Sequence, residues 1–378
     1  MNAILTSANQ VLAKMTKLSI CIPTFNRVNL LIPCVNSIAG QMDTAGHPDI
    51  EIVISDNASS DGTEEACRML CQQHPGLILY FRQAKIIQAE DNFWKVLSLA
   101  NGDYLKVIND TILLKPGALR LLIDIISFHQ DSKPPLFFLN GNLGHKALGN
   151  RLANIDQLIR HASYYITWWG GYGTWKNDLT SQELFCKNKQ LLLVQTEDLL
   201  RQVYAKGSVT VINRELFAMQ HPGRKSGYNV AKVFGQNYLQ ILKNYVGNGQ
   251  ISKETLEAEK HTVLTRHILP LHFNINNENN FEHDANTLVY LDDFTTLKNF
   301  YPIYRQAMTG SINLEPDNTH DGSPPPLTDD TSFVFPPSSG TRYPITITPE
   351  SWRSNNSHNQ TFLGRLWKTQ GIRARIGA

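Results

Sequence analysis

The chain has 378 residues, enough for about two to three domains and for a core that needs no disulfide support. Its 35 Lys and Arg nearly balance its 33 Asp and Glu, and a net charge of +2 argues against a nucleic-acid partner. No apolar stretch approaches the roughly 18 residues of a membrane-spanning helix, and the first residues lack the basic-then-apolar order of a signal peptide. The five cysteines show no CxxC spacing, which argues against a disulfide framework and a zinc site. We expect a cytoplasmic protein.

Strand and helix signals alternate through the first third of the chain. Short apolar runs followed by polar residues predict buried strands at 18–22, 51–55, 77–81 and 104–108. Apolar residues at helical spacing predict helices at 30–38, after 63, at 92–99 and at 117–128. Strands separated by helices of this length pair in parallel through right-handed crossovers. The pattern therefore predicts an α/β fold around a parallel sheet.

Polar residues follow three of these strands directly. They are Thr24 to Asn26, Asp56 with Asn57, and Asn109 with Asp110. A parallel sheet binds ligands beyond the carboxyl ends of its strands, so these residues predict a binding site. Because strands end in polar turns in any case, a set of ordinary turns is the alternative interpretation.

The pattern is less regular in the second half of the chain. Strands are predicted at 136–139 and 209–212, and a helix at 239–246. The segment 164–175 contains six aromatic residues and three glycines. Such residues can stack on sugar faces, but a hydrophobic cluster is the interpretation we favour.

Several catalytic motifs are absent from the sequence. It contains no GxGxxG after the first strand, no GxxxxGK[ST] and no GxSxG, which removes the dinucleotide-binding, P-loop and α/β-hydrolase interpretations. His261, His267 and His272 have no zinc-site spacing and are interpreted as core or surface residues.

Three segments together resemble the family 2 glycosyltransferases. They are LSICIPTFNR at 18–27, IEIVISDNASSDGT at 50–63 and NGDYLKVINDTILLKPGAL at 101–119. A weaker likeness, GSVTVINRELF at 207–217, is similar to the acceptor-side segment of the subgroup that acts in O-antigen or capsule assembly. The resemblance implies an inverting enzyme. It also implies a three-layer GT-A-type sandwich around a mostly parallel sheet, with a helical acceptor-side extension.

The chain beyond residue 312 differs in composition. Eight of its 18 prolines lie between Pro316 and Pro349, which predicts an extended linker. Residues 361–378 hold four basic residues and no acid, with apolar residues at helical spacing. This tail is interpreted as an interfacial helix near anionic lipids, as a segment that docks on the catalytic domain, or as disordered chain. The predicted segments are a nucleotide-sugar-binding domain at 1–260, a helical extension at 261–312, the linker at 313–350 and the tail at 351–378.

The resemblance places donor binding at the strand ends. Asp56 stands where relatives hold the edge of the nucleobase, a task that suits a carboxylate because it only accepts hydrogen bonds. Phe25 lies in the segment that wraps the base. Asn57 and Asp61 are interpreted as turn and cap residues. The nucleotide-binding residues predicted in this way are Pro23, Thr24, Phe25, Asp56, Arg82, Asn92 and Asn109.

The resemblance also implies a divalent metal, Mg²⁺ or Mn²⁺, which neutralises the diphosphate of the donor. By position Asp110 is the metal ligand. Its neighbours Asn109 and Thr111 offer only neutral oxygens where relatives have two or three consecutive acids, and this departure puts metal binding in doubt.

No catalytic base can be assigned from the sequence. An inverting transfer needs a carboxylate to take the proton of the acceptor hydroxyl. The best positional match is 234–237, where Gln236 cannot act as a base. Glu197, Asp198 and Glu215 lie nearby without a motif and are interpreted as solvated residues.

The sequence thus predicts a cytoplasmic glycosyltransferase of surface-polysaccharide synthesis. Its donor would be a nucleoside-diphosphate sugar and its acceptor a hydroxyl of an oligosaccharide, in particular a lipid-linked one. Peripheral contact with the inner face of the membrane would run through the tail. The alternative is a degenerate relative that binds a nucleotide sugar or glycan without turnover.

Overall fold

A computed structural model of the chain describes residues 17–42, 49–142, 149–220, 229–270, 289–297 and 300–308. The strands are β1 (Leu18–Thr24), β2 (Ile50–Asp56), β3 (Ile78–Arg82), β4 (Tyr104–Val107), β5 (Ile112–Leu114), β6 (Leu136–Phe138), β7 (Gly149–Leu152), β8 (Gly173–Trp175), β9 (Val209–Ile212) and β10 (Phe217–Met219). The helices are α1 (Val28–Ala39), α2 (Thr63–Gln73), α3 (Ala89–Leu99), α4 (Ala118–Phe128), α5 (Ile155–Ala162), α6 (Gln182–Phe185), α7 (Val194–Lys206), α8 (Tyr238–Gly247), α9 (Lys253–Val263) and α10 (Phe300–Met308).

The main sheet has the strand order β3-β2-β1-β4-β8. The first four strands are parallel, and β8 adds to β4 in the antiparallel sense. The predicted α/β class with a mostly parallel sheet is confirmed. Since β1 lies between β2 and β4, the chain switches direction across the sheet at β1, and in such sheets this is where the ligand crevice forms.

Helices cover the sheet on both faces, as the three-layer prediction requires. The side chains of Cys21 and Val53 share one hydrophobic core with Phe93 and Val96 of α3. The right-handed crossover rule places α1 and α2 on the opposite face, where they contact each other. Helix α1 continues through Pro33, and its first N–H, that of Val28, donates to the Asp61 carboxylate at 2.9 Å.

The rest of the described chain forms two further small sheets in addition to the main sheet. Strands β6, β9 and β7 form a small mixed sheet, and β5 pairs with β10 in the antiparallel sense. The sequence analysis predicted β6 and β9 but not β5, β7, β8 or β10. Of the missed strands, β7 (GNRL) and β8 (GTW) contain no apolar run.

A buried lysine joins the main sheet to the aromatic segment. The ammonium of Lys106 on β4 donates to the carbonyl oxygens of Gly170 at 2.6 Å, Tyr172 at 2.9 Å and Val107 at 3.0 Å. It also lies 4.9 Å from the ring centre of Phe138. Three acceptors match the three donors of an ammonium, and this satisfies the buried group.

The predicted domain division stays a prediction. Its boundary at 260 falls within α9, and Val263, Leu291 and Phe300 belong to the same core as the main sheet. The linker at 313–350, the tail at 351–378 and His272 lie outside the described residues. Over the described ranges, no helix combines the length and the apolar character needed to cross a membrane.

Candidate functional site

The carboxyl ends of the parallel strands bring the predicted donor-binding residues into one row. The strand register pairs Thr24 of β1 with Asp56 of β2, and Asp56 with Arg82 of β3. On the other side of β1, the Thr24 hydroxyl donates to Asp110 Oδ2 at 2.9 Å. Residues separated by up to 86 positions therefore form one polar edge, which we call the strand-end row: Asp110, Thr24, Asp56 and Arg82.

Asp56 is the most enclosed member of the strand-end row. Its side chain is 0% exposed and accepts hydrogen bonds from the Ser59 backbone N–H and the Tyr80 hydroxyl, both at 2.9 Å. The Arg82 Nε lies 3.6 Å from the same carboxylate and 3.2 Å from that of Glu64. Burial and the hydrogen bond to Asp56 raise the pKa of Tyr80 well above its usual value. Asp56 is therefore held rigidly as a carboxylate acceptor.

Asp110 lies at the switch point between β1 and β4. It is 2% exposed, and its second oxygen, Oδ1, accepts from Arg27 Nη1 at 3.2 Å. Burial raises the pKa of the Asp110 carboxyl, while Arg27 and Thr24 act in the opposite direction. Both carboxylate oxygens are thus bonded to side chains of this chain.

Neighbouring backbone closes around Asp110 from a part of the sequence that sequence analysis did not single out. Gln220 lies directly after β10. Its backbone N–H donates to the Thr111 carbonyl at 2.7 Å, and its side-chain Nε2 donates to the Asp110 carbonyl at 2.9 Å. The side-chain oxygen of Asn109 is buried and meets no hydrogen-bond donor among the residues that the structure describes. No local pattern marks Gln220, because its role depends on a pairing of β10 with β5 across the chain.

The loop after β1 exposes an aromatic ring beside the strand-end row. Phe25 is 39% exposed, and Pro23 is partly buried. Asn26, with φ of 50°, ties this loop to the next one through its own N–H to Ser59 Oγ and its side chain to the Ser60 N–H, both at 2.8 Å. The loop is therefore anchored while the ring stays accessible.

Of the two residues interpreted as turn and cap residues, Asp61 is confirmed as a cap, whereas the Asn57 side chain joins two distant loops. The Asp61 carboxylate accepts from the backbone N–H of Thr63 at 3.2 Å and from the backbone N–H of Val28 at 2.9 Å, so it caps both α2 and α1. The Asn57 side chain forms two hydrogen bonds with the backbone of Ile87, at 2.8 and 2.9 Å.

Asn92 lies behind the strand-end row rather than at its surface. It is buried, and its amide donates to the Ser55 carbonyl at 2.9 Å while its oxygen accepts from the Ser55 hydroxyl at 2.8 Å. The Asn92 oxygen also accepts a hydrogen bond from the Gln83 side-chain amide at 3.3 Å. In this structure Asn92 fastens α3 to β2.

These elements lie within a segment that matches a known family. Residues 19–172 match the model of Glycosyl transferase family 2. The match covers less than half of the chain, and the segment resembles a family 2 glycosyl transferase domain. The predicted family resemblance is confirmed, and the domain contains the whole strand-end row and Arg27.

Two curated relatives match parts of the chain. Abequosyltransferase RfbV of Salmonella typhimurium is 40% identical over 105 residues, which is 28% of this chain and 31% of the relative. The GalNAc(5)-diNAcBac-PP-undecaprenol beta-1,3-glucosyltransferase of Campylobacter jejuni is 36% identical over 110 residues, 29% of this chain and 34% of the relative. The chain thus covers about a third of the length of each.

Solved structures with a similar backbone are more distant in sequence. S. aureus TarS has a TM-score of 0.48 at 13% identity, covering 80% of this chain and 54% of that chain. A mannosyltransferase from Pyrobaculum calidifontis, in complex with GDP-Man and Mn²⁺, has a TM-score of 0.46 at 14% identity, covering 78% and 84%.

Outside the family 2 domain, the three acids considered as bases differ in environment. Asp198 is fully buried and accepts from the Tyr172 hydroxyl and the Gln202 side chain, each at 2.6 Å, so its interpretation as a solvated residue is wrong. Glu197 is partly buried and accepts from Asn188 at 2.7 Å. Glu215 is exposed and pairs with Lys115 at 2.7 Å. The sequence did not reveal the burial of Asp198, because charged and polar residues occur on all sides of this helix and do not indicate which face is packed.

The best positional match for the base, Gln236, is exposed on a wide helical turn that covers Ala231–Asn237. Wide turns of this kind are rare and often occur at functional sites. The neighbouring Asn237 is buried and donates to the Leu191 carbonyl at 3.0 Å. None of these side chains can take a proton at neutral pH.

Glu259 on α9 is a buried carboxyl that sequence analysis missed. The Ser163 hydroxyl lies 2.8 Å from its Oε2, and the Tyr238 hydroxyl donates to Oε1 at 2.9 Å. Burial raises the pKa of Glu259 to about 7, although both hydrogen bonds work in the opposite direction. It lies in a run of charged helix residues, and only the packing of α9 against the segment at 163–167 reveals it.

The aromatic segment at 164–175 forms a packed hydrophobic cluster, which is the interpretation that the sequence analysis favoured. Trp169 meets the ring of Phe93 edge-on at 4.7 Å, and Trp175 meets Tyr104 at 5.0 Å. Tyr172 and Trp175 are buried, so their rings cannot stack on a sugar. His267 is likewise a packing residue: it stacks on Tyr164 at 4.4 Å, and burial lowers its pKa to about 4.

The side chains around Asp110 do not fit a divalent metal. Mg²⁺ and Mn²⁺ need several oxygen ligands, usually with one or two accessible carboxylates. Asp110 is the single carboxylate of its motif, and both its oxygens are bonded to Thr24 and Arg27. Nowhere in the described ranges do three or more His, Cys, Asp or Glu side chains form a group that could hold a metal.

Proposed function

We propose that this protein is a glycosyltransferase that transfers a sugar from a nucleoside-diphosphate sugar to an acceptor hydroxyl. The observation that carries the proposal is the strand-end row, which lies inside a family 2 domain at the switch point of its sheet. Open α/β sheets bind their ligands at this position.

The nucleotide would lie across the ends of β1, β2 and β3. Asp56 is proposed to recognise a nucleobase N–H, since a carboxylate has about four lone-pair directions and three groups approach it here. Because its side chain is 0% exposed, this contact requires the Arg82 side chain, which is 34% exposed, to move away from it. Phe25 supplies an exposed ring for stacking on the base, next to Pro23. Thr24, Arg82 and Asn109 line the same edge. Asn92 acts from behind it, through Ser55.

The proposed reaction is a direct displacement that inverts the anomeric centre. The acceptor hydroxyl oxygen forms a bond to the anomeric carbon while the bond from that carbon to the diphosphate oxygen breaks. The electron pair leaves with the nucleoside diphosphate, and the hydroxyl proton passes to a base. The base is unassigned, since none of the four acids Glu197, Asp198, Glu215 and Glu259 belongs to the strand-end row.

The acceptor is proposed to be a surface-polysaccharide hydroxyl, in particular on a lipid-linked oligosaccharide. The support is the name of the Campylobacter jejuni relative, which specifies an undecaprenol-linked acceptor, together with that of the Salmonella abequosyltransferase. With such an acceptor, the protein would work in the cytoplasm at the inner face of the membrane.

A binding protein without turnover is the second candidate. It is favoured by one observation: the carboxylate predicted as metal ligand, Asp110, is occupied by Arg27 and Thr24. Transfer from any nucleotide sugar to native lipid-linked acceptor would exclude it.

The test is a panel of nucleotide sugars with native lipid extracts as acceptor, in which transfer and donor binding are both measured. We expect transfer from one donor, and Asp56→Ala to weaken donor binding by about 1.5–3 kcal/mol, the range for hydrogen bonds to charged groups. Asp124→Asn is the control, because that carboxylate pairs with Arg120 on an exposed face of α4. If the wild-type protein binds no nucleotide diphosphate, the proposal is wrong. If Asp56→Ala unfolds more easily but binds donor as before, Asp56 is a structural residue only.

A further inference from the structure

We propose that Arg27, rather than a divalent cation, supplies the positive charge that neutralises the donor diphosphate. This inference rests on the proposed function, because it assumes a nucleoside-diphosphate ligand at the strand-end row. The family resemblance implies a divalent metal, but the side chains around Asp110 do not provide the ligands that such a metal needs.

The disagreement concerns charge. A diphosphate leaving group carries negative charge that must be balanced, and the strand-end motif holds one carboxylate where a metal site needs more. That carboxylate is 2% exposed, and each of its oxygens accepts a hydrogen bond from a side chain of this protein. A metal would have to displace the guanidinium of Arg27 before it could bind.

Arg27 is well placed to carry this charge itself. It follows β1 by three residues and reaches across the switch point to Asp110 on the far side of β1, where the ligand crevice of such a sheet opens. Its side chain is 45% exposed, so the guanidinium is accessible as well as anchored. Asp110 accounts for one N–H, and no other acceptor among the described residues engages the remaining four.

The chemistry of the group fits a phosphate. A guanidinium is planar, stays charged at every working pH and presents paired N–H donors that match two phosphate oxygens. Arg27 also lies directly before α1, a 12-residue helix with no acid in its first turn, but the Asp61 carboxylate already accepts from the Val28 N–H there, so the charge offered to a phosphate is that of the guanidinium. In this arrangement Asp110 is a positioning residue that fixes the orientation of Arg27.

A consequence is that diphosphate binding does not depend on a divalent metal. A nucleoside diphosphate should bind the full chain equally well in EDTA and in Mn²⁺, within about threefold in Kd. Substitution of Arg27 should not change the affinity for the corresponding nucleoside, which lacks the phosphates.

The experiment is calorimetric titration of the full chain with UDP, GDP, dTDP, CDP and ADP and with their nucleosides, each in EDTA and in Mn²⁺. Arg27→Met should weaken binding of the preferred diphosphate about tenfold to a hundredfold under both conditions, the loss expected for hydrogen bonds to a charged group. Binding of the nucleoside should not change. Arg160→Met is the matched control, because Arg160 has a side chain 46% exposed and pairs with an aspartate on α5.

Arg27→Met leaves Asp110 buried and unpaired, so the double variant Arg27→Met/Asp110→Asn is titrated beside it. The double variant should fold and still bind the diphosphate weakly. Two results would overturn the inference: diphosphate binding that needs Mn²⁺, or folded Arg27 variants that bind it as tightly as wild type. Failure of wild type to bind any diphosphate under either condition would overturn the proposed function as well, so the two failures are distinguishable.

Discussion

The buried carboxyl of Glu259 predicts a measurable dependence of stability on pH. Its pKa is about 7 in the folded protein and 4.5 in its ordinary state, so the folded protein binds the proton more tightly than the unfolded chain does. The contribution of the neutral carboxyl is fully present below pH 4.5. It is lost as the pH rises from 4.5 through about 7, because the unfolded chain then releases the proton first.

The size of the effect follows from the shift. At about 1.4 kcal/mol for each pKa unit, the loss of unfolding free energy between pH 4.5 and pH 8 is roughly 3 kcal/mol. Glu259→Gln removes the titration, and its amide oxygen can still accept from Ser163 and Tyr238. We therefore expect the difference in unfolding free energy between pH 5 and pH 8 to change by about 2–3 kcal/mol on substitution, in favour of the variant at pH 8.

Urea denaturation of wild type and variant at pH 5, 6, 7 and 8 measures this difference. Other buried groups titrate in the same range, notably His267, whose lowered pKa makes stability rise with pH up to about 6.5. Such contributions are common to both proteins and cancel when their profiles are subtracted. Glu254→Gln is the control, because that side chain is exposed on the same helix. Parallel stability profiles for wild type and Glu259→Gln would refute the argument that Glu259 is a buried, proton-binding carboxyl.

Three further predictions concern the sheet and the tail. Lys106→Met should lower the unfolding free energy by about 2–4 kcal/mol in urea titrations, because it leaves buried carbonyls such as that of Gly170 without a donor; an unchanged midpoint would contradict the buried-ammonium account. Gly102→Ala should lower it by about 1–3 kcal/mol, since a Cβ there would lie 2.5 Å from the Ser19 hydroxyl; Gly247→Ala, where a Cβ meets nothing within 4 Å, is the control. Deletion of 358–378, which lies outside the described residues, should reduce sedimentation with anionic vesicles at low salt, and equal sedimentation would remove the membrane-anchor interpretation.

The sequence by itself was sufficient for the part of the protein whose signals are local. The parallel strands are mostly apolar, and β1 and β2 are each long enough to be recognised before they end in polar residues. Asp61 could be assigned as a cap because a cap acts on backbone N–H groups two or three positions away, here that of Thr63. The carboxyl-edge rule then brought Thr24, Asp56 and Asp110 together without coordinates, because parallel strands expose equivalent ends on one side.

Tertiary structure decided the properties that depend on distant partners. Asp110 pairs with Arg27, 83 positions away. Because of that pairing, the carboxylate predicted to bind a metal instead holds the guanidinium of Arg27 in place. Asp198 and Glu259 occur in helices rich in charged residues, and only packing shows that both are buried and that burial raises the pKa of each carboxyl. Burial is set by what the rest of the chain places on a helix face. The charge state and role of a side chain follow from that environment rather than from its neighbours in sequence.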